Sequence, residues 1–173
     1  MKTLIISSSL SPSSHSYVLC RELEKFLKQQ KKNVDITFID LRDLEIVPAH
    51  QPETQDMKDL AAAVDQADNY IFGVAIHNYS INDSMRMILD TSLYGAKGKF
   101  YGILCAAWGA NSYLATMHLT QTCMTHHRMI QLPRVVYAIW WDFDEHQRII
   151  NPDITERCEQ FAEDFVYLGS KLL

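Results

Sequence analysis

The chain has 173 residues, of which 47% are hydrophobic and 21% charged, and it carries a formal net charge of −5. This length suits one domain over residues 1–173, and the negative charge argues against a nucleic-acid surface because a polyanion needs clustered positive charge. No apolar run approaches the roughly 20 residues that span a bilayer, and the four cysteines form no CxxC pair, so we expect a thiol-reduced cytoplasmic protein without membrane contact.

Short apolar runs and longer amphipathic patterns alternate through the first half of the chain. Runs of apolar and alternating residues predict strands at residues 3–8, 34–40 and 69–76. Helical spacing of the apolar side chains predicts helices at residues 16–32, 53–66 and 82–92.

The second half continues this alternation. Strands are predicted at residues 100–107 and 134–140, and helices at residues 112–128 and 153–172, the last capped by Asn151 or Asp153. Five strands that alternate with five helices predict a parallel sheet covered on both faces. Right-handed crossovers then favour a flavodoxin-like three-layer α/β/α sandwich with strand order 2-1-3-4-5. Ligands in such sheets bind beyond the carboxyl ends of the strands, here at the loops after strands one, three and four.

The loop after the first strand is rich in hydroxyl groups. Residues 7–16 read SSSLSPSSHS, with seven serines in ten positions directly before a helix. Free N–H groups at a helix N-terminus, together with serine hydroxyls, predict a phosphate site. The alternative is an ordinary turn and helix cap, since serine is common at both. The glycine patterns of dinucleotide-binding and Walker A loops are absent.

The loop after the third strand supplies aromatic side chains. Residues 75–84 read AIHNYSINDS, and the rings of His77 and Tyr79 can stack on a planar ligand. The alternative for His77 is a plain loop histidine, and for Tyr79 a core or dimer contact.

The loop after the fourth strand is short and rich in small residues. Residues 106–112 read AAWGANS, and Gly109 permits a ligand to approach the backbone closely. The turn also fits a strand-to-helix connection capped by Asn111 or Ser112. Both interpretations are compatible with each other.

The three loops together resemble those of the NADPH-dependent FMN reductase family. The first resembles the family's phosphate loop, G-S-x-R-x-x-S-x-N/S, at Ser8, Ser9, Ser11, Ser14 and Ser16. Of these, Ser8 replaces a frequent glycine and Ser11 a frequent arginine. The second resembles T-P-x-Y-N-G-S-x-P-x-x-L-K-x-x-x-D at Asn78, Ser80, Met85, Arg86 and Asp90. It departs from that segment at Ala75, His77, Tyr79 and Asn82.

The resemblance implies an FMN-binding oxidoreductase. The FMN phosphate is then expected at Ser9, Ser11, Ser14, His15 and Ser16. The flavin ring is expected along His77, Asn78, Tyr79 and Ser80, with its pyrimidine edge at Ala107, Trp108, Gly109, Ala110 and Asn111. Because a charge-assisted hydrogen bond is stronger than a neutral one, the missing arginine predicts loosely held FMN.

The family's reaction moves a hydride from NADPH or NADH to the flavin and on to a flavin, quinone or azo acceptor, without an acid or base side chain. The resemblance also implies a homodimer or homotetramer. Two alternatives stay open. One is a flavodoxin-type electron carrier; such carriers tend to be strongly acidic, and a net charge of −5 is small for one. The other is a family member that has lost flavin, as the departures in the loops suggest.

Several features outside these loops receive structural interpretations. His118, His126 and His127 share a predicted helix, where a surface or interface role is favoured over a metal site. Cys105 is expected to be an inert core thiol. The aromatic run WWDF at residues 140–143 either covers a partner subunit's flavin or seals a dimer, or it packs against the closing helix.

Overall fold

The computed structural model describes residues 1–173 and contains six strands and five α-helices, which alternate except where β4 follows β3 directly. The strands are β1 Lys2–Ser7, β2 Asp35–Asp40, β3 Asn69–His77, β4 Ser80–Ile81, β5 Phe100–Ala107 and β6 Ile130–Ile139. The helices are α1 His15–Gln29, α2 Gln55–Gln66, α3 Asp83–Thr91, α4 Thr116–Gln121 and α5 Pro152–Gly169. Apart from helix 112–128 and strand 134–140, every predicted element ends within three residues of its observed limits.

The five long strands form one parallel sheet in the order β2-β1-β3-β5-β6. The predicted flavodoxin-like order is therefore confirmed, and the two-residue strand β4, antiparallel to β3, is an addition to it. The register places Ser7 of β1 beside both Asp40 and Gly73, and Ala106 beside Ala138. The carboxyl ends of the strands consequently lie along one edge, where the three loops emerge.

Helices cover both faces of the sheet. One core joins β-strand residues to α2, α3 and α4, and the other joins them to α1 and α5. Gly73 allows α1 to lie close to β3, because a Cβ there would stand 2.1 Å from the sulfur of Cys20. Gly102 makes the same room for the ring of Phe161 on α5. The approach at Gly73 holds α1, and with it the end of the first loop, against the sheet.

The continuous helix predicted over residues 112–128 is wrong. The segment is a 3₁₀ turn at Ala110–Ala115, the short helix α4, and a π-helical turn at Thr122–His126. Threonine hydroxyls bond back to carbonyls three or four residues earlier, as in Thr120 to Thr116 and Thr122 to His118. Such bonds, and the low helix propensity of threonine, weaken a regular helix.

The predicted start of the last strand at residue 134 is also wrong, since β6 begins at Ile130. Proline lacks an N–H for the sheet ladder, but β6 is an edge strand and accommodates Pro133 beside a register shift opposite Tyr101 and Ile103. The capping of the closing helix is confirmed, because the Asn151 side chain accepts the N–H of Asp153.

The three histidines differ in their surroundings. His118 and His126 are exposed, whereas the surface or interface position predicted for His127 is wrong. This ring is buried, with Nε2 3.0 Å from the carbonyl oxygen of Leu89. No group of histidine, cysteine or carboxylate side chains is arranged to hold a metal ion. None of the helices is both long and apolar enough to cross a membrane.

Candidate functional site

The three loops meet at the carboxyl edge of the sheet around two adjoining hollows. The first hollow, about 210 Å³, lies between the serine-rich loop and the ends of β3 and β5. The second, about 290 Å³, lies between the β3–β4 turn and the loop after β5. Ile76 and Trp108 border both hollows, so the two form one continuous cleft.

Most of the predicted site residues border this cleft. The first hollow is lined by Ser9, Ser11, Ser14, His15, Ser16, His77, Ala107 and Trp108. The second is lined by Asn78, Tyr79, Trp108, Gly109 and Asn111. Two predicted residues border neither hollow. Ala110 begins the turn behind the third loop, and Ser80 lies on the far side of the hairpin, with Oγ 3.5 Å from Nδ1 of His118.

Backbone N–H groups converge at the serine-rich loop. No acceptor in the chain pairs with the N–H groups of Ser9, Leu10, Ser14, His15 and Ser16. Ser14 caps α1, since its hydroxyl accepts the N–H of Tyr17 at 3.1 Å, and the Ser14 and Ser16 hydroxyls lie 3.0 Å apart. Free N–H groups at the start of a helix form an anion site, and this one is held by a cap.

Asn82, treated in the sequence only as a departure from a family motif, ties the first loop to the second. Its Nδ2 donates to the carbonyl of Ser8 at 2.9 Å, and its Oδ1 accepts the N–H of Ala75 at 3.0 Å. The Ser8 hydroxyl donates to the carbonyl of Gly73 at 2.8 Å, and Ser84 donates to the carbonyl of Ser8. Asn82 is buried, so these bonds fix two loops against each other.

Arg42 supports the loop from outside the cleft. Its guanidinium donates to the Pro12 carbonyl at 3.3 Å and stands 4.4 Å from the ring centre of Tyr17. Two further donors bind Oδ2 of Asp40, at 2.9 and 2.5 Å. The arginine charge is therefore matched by a carboxylate and braces the loop, and it does not border either hollow.

A tight hairpin shapes the second loop. His77 pairs with Ser80, and the two residues between them, Asn78 and Tyr79, have φ values of 49° and 61°. Two successive residues with positive φ form a type I′ turn, in which asparagine is favoured and a tyrosine is strained. Tyr79 is 67% exposed, so the turn places an aromatic side chain at the rim of the second hollow.

The third loop is held by a tyrosine of β6 that sequence reasoning did not identify. The hydroxyl of Tyr137 donates to the carbonyl of Gly109 at 2.8 Å and lies 2.9 Å from the Ser112 hydroxyl. Gly109 has an extended backbone, with φ of −149°, and a Cβ there would meet no atom. The backbone at Gly109 is thus open on the cleft side, while the turn itself needs no glycine.

Aromatic rings form one wall of the cleft. The His15 ring stacks on Phe143 at 4.0 Å with an interplanar angle of 2°, and Trp140 stands 5.1 Å from His15 and 4.9 Å from Trp108. Packing against the closing helix is confirmed for part of the run at residues 140–143, and cover of a partner's flavin stays a prediction. Phe143 is buried in the core that includes α5, whereas Trp141 is 71% exposed. The Asp142 carboxylate holds the turn after β6, because it accepts the N–H of Ile139 and the side-chain amide of Asn151.

Comparisons with known proteins agree with this geometry. The model of the NADPH-dependent FMN reductase family matches residues 1–142. A relative from Geobacillus thermodenitrificans, named NAD(P)H-dependent FAD/FMN reductase, is 26% identical over 176 residues, which cover 97% of this chain and 93% of the relative.

Solved structures share the fold. An oxidoreductase from Corynebacterium diphtheriae superposes with a TM-score of 0.80 at 16% identity, covering 98% of this chain and 97% of the other. An FMN-dependent NADH-azoreductase from Bacillus anthracis, solved with FMN, gives 0.68 at 18% identity over 98% and 100% of the two chains. Because the family model spans most of the sequence, this chain belongs to the NADPH-dependent FMN reductase family, whose oxidoreductase chemistry uses FMN and a reduced nicotinamide.

Proposed function

We propose that the cleft holds one FMN and that the protein uses NADPH or NADH to reduce a flavin, quinone or azo compound. The phosphate lies in the first hollow and the flavin ring extends past Trp108 into the second. The observation that carries this proposal is the placement of an anion cradle of unpaired N–H groups directly beside a hollow rimmed by aromatic rings.

The hydrogen-bond donors at the phosphate end suit a monophosphate. Four of the five residues with an unpaired backbone N–H line this hollow together with several serine hydroxyls, and neutral donors at a helix start suit a dianion. Neither lysine nor arginine lines this hollow. The absence of a fixed cation supports weak retention of FMN, because a neutral donor contributes less than a charged one.

The ring end fits a planar ligand in its shape and composition. Tyr79 and Trp108 both line the second hollow, and the open backbone at Gly109 allows close approach. The two hollows together fall in the range of roughly 300–1,000 Å³ typical of small-molecule sites. Exposed aromatic side chains at the rim can also stack on a donor or acceptor ring as it arrives.

Bound FMN would supply the redox chemistry, accepting hydride from the nicotinamide and delivering it to the acceptor. The chain's own contribution is to bind the phosphate, orient the ring and leave one face of it accessible. Thiol chemistry has no place here, because all four cysteines are buried and free. Burial raises the pKa of the Cys123 thiol to about 12 and raises that of Cys105 further.

The test adds FMN to flavin-free protein and follows oxidation of NADPH and of NADH with a flavin, a quinone and an azo dye as acceptors. We expect turnover that saturates with FMN and quenching of flavin fluorescence on binding. Binding of FMN without oxidation of either nicotinamide would indicate an electron carrier instead. Failure to bind FMN at all would indicate a protein that has lost its flavin.

We also propose that a second copy of the chain covers the rim of the cleft, giving a homodimer or homotetramer. Trp108 at the cleft, Leu114 in the turn after the third loop and Trp141 after β6 each expose 70% or more of their surface, and large exposed apolar patches usually mark interfaces. Light scattering should report an oligomer that Trp141→Glu weakens. Tyr167→Glu, at an exposed tyrosine of α5, is the matched control, and a monomeric wild type would contradict the proposal.

A further inference from the structure

The phosphate end of the cleft contains one ionisable side chain, His15. Among the residues that line the first hollow, only His15 and His77 can carry a positive charge. His77 lies at the end of β3, toward the hairpin, whereas His15 is the first residue of α1 and part of the loop that forms the anion cradle. Its own backbone N–H is one of the five without an acceptor.

The His15 ring is oriented by stacking and not by hydrogen bonds. Its face lies on Phe143, with centroids 4.0 Å apart and the planes nearly parallel. Stacking uses the ring face and leaves the two nitrogens at the ring edge free. Neither ring nitrogen has a hydrogen-bond partner in the chain, so both can bond to a ligand while stacking on Phe143 keeps the ring in place.

No charged side chain facing His15 is free to pair with it. The turn that carries Trp140 contributes Asp142, but its carboxylate already accepts the N–H of Ile139 and the side-chain amide of Asn151, both at 2.7 Å. The first turn of α1 has no acidic residue, and the facing end of β5 contributes only Ala106 and Ala107.

Burial without a partner disfavours the imidazolium form. It lowers the pKa of His15 from its ordinary value of 6.5, so the ring is neutral near pH 7 while the cradle holds no anion. A phosphate dianion within hydrogen-bond distance would reverse this preference, because an opposite charge in a partly buried site favours the charged form.

We propose that His15 is the titratable counter-charge of the phosphate site. Neutral in the flavin-free protein, it takes one proton from solvent as a phosphomonoester enters the cradle, and the imidazolium donates a hydrogen bond to a phosphate oxygen. It stands in for the fixed arginine that Ser11 replaces. This inference rests on the proposed function, since FMN is the phosphomonoester.

Calorimetry tests the proposal through proton uptake. FMN is titrated into flavin-free protein at about pH 7.5, above the ordinary histidine pKa, in two phosphate-free buffers with different ionisation enthalpies. We expect a large fraction of one proton taken up per FMN bound, and no uptake with riboflavin, which lacks the phosphate. The free phosphate is a dianion at this pH, so a proton taken up by the phosphate itself would give the same signal, and variants must separate the two sources.

Variants assign the proton to His15. His15→Gln should bind FMN roughly 10-fold or more weakly, with little proton uptake, and should bind riboflavin as the wild type does. His15→Arg, permanently charged, should retain FMN affinity without uptake. His77→Gln, the matched control in the same hollow, should retain the uptake. Circular dichroism checks that each variant is folded.

Wild-type protein that binds FMN without proton uptake would overturn the proposal for His15 alone. So would uptake that persists in His15→Gln, or that disappears in His77→Gln. Failure of the wild type to bind FMN at all would overturn this proposal together with the proposed function.

Discussion

The two ends of the cleft are built in different ways. At the phosphate end, Ser8, Ser9, Ser14 and Ser16 are buried, and hydrogen bonds with Gly73, Asn82 and Ser84 hold Ser8 in place. At the ring end the side chains of Tyr79 and Trp108 are exposed, and hydrogen bonds from β6 and the turn after it hold the backbone. Tyr137 fixes the third loop, and Asp142 fixes the turn after β6.

This difference matches what a flavin reductase requires of each end. Binding of a phosphate benefits from rigid donors that are already in position. A ring that meets a nicotinamide and then an acceptor must remain accessible to both. On the proposed function, the buried end would bind the phosphate and the exposed end would admit the nicotinamide and the acceptor. Mutations at the two ends should then affect FMN and riboflavin differently.

The largest effect is expected at Asn82, which connects the two ends. Asn82→Ala removes the buried bonds to Ser8 and Ser84 and leaves the N–H of Ala75 unpaired, while Ser84 still donates to the Ser8 carbonyl. We expect a loss of about 3 kcal/mol in the free energy of unfolding, and weaker binding of both FMN and riboflavin. Urea denaturation and fluorescence titration measure the two effects.

The exposed amide Asn111 serves as the control for Asn82. Asn111→Ala should change stability by less than about 0.5 kcal/mol. An Asn82→Ala variant as stable as the wild type would show that the loops do not depend on this side chain.

Ser14 separates the phosphate end from the ring end. Ser14→Ala removes the cap of α1 and should cost about 1 kcal/mol of stability. FMN affinity should fall while riboflavin affinity stays unchanged, because only FMN carries the phosphate. Thr54→Ala, which removes the cap of α2 away from the cleft, should cost similar stability and leave both affinities intact. Equal losses for FMN and riboflavin in Ser14→Ala would remove the distinction between the ends.

Sequence reasoning was most successful where structure depends on local pattern. The alternation of strands and helices predicted the sheet order, and the serine-rich loop was placed at the start of α1, where Ser14 acts as a cap. It failed at residues 112–128, where local apolar spacing resembled a helix but threonine back-bonding broke it into short turns.

The unpredicted residues of the site act over long distances. Asn82 bonds to Ser8 across 74 positions, and Tyr137 reaches Gly109 across 28. Nothing in the local sequence of either residue indicates its partner. The burial of His127 is set in the same way, by the carbonyl of Leu89 38 positions earlier.

Tyr137 tests the ring end alone, with a smaller expected effect. Tyr137→Phe removes the bond to Gly109 and should cost at most about 1 kcal/mol of stability. FMN and riboflavin should lose affinity by the same factor, since the phosphate cradle is intact. Tyr113→Phe, whose exposed hydroxyl has no partner in the chain, is the control. A selective loss of FMN affinity would contradict the division between the two ends.

His127 lies outside the cleft, so its protonation should lower the stability of the fold without direct contact with the phosphate end or the ring end. Burial lowers the pKa of His127 from 6.5, and the nearby His126 lowers it too, while the Leu89 carbonyl and Asp90 oppose the shift. The unfolded chain therefore binds the proton first, so stability is present above pH 6.5 and is lost as the pH falls toward the folded pKa. His127→Gln keeps a neutral donor for Leu89 and should show less acid destabilisation in urea melts across this range. His118→Gln, at an exposed histidine, should follow the wild type, and an identical acid response in His127→Gln would place the titrating group elsewhere.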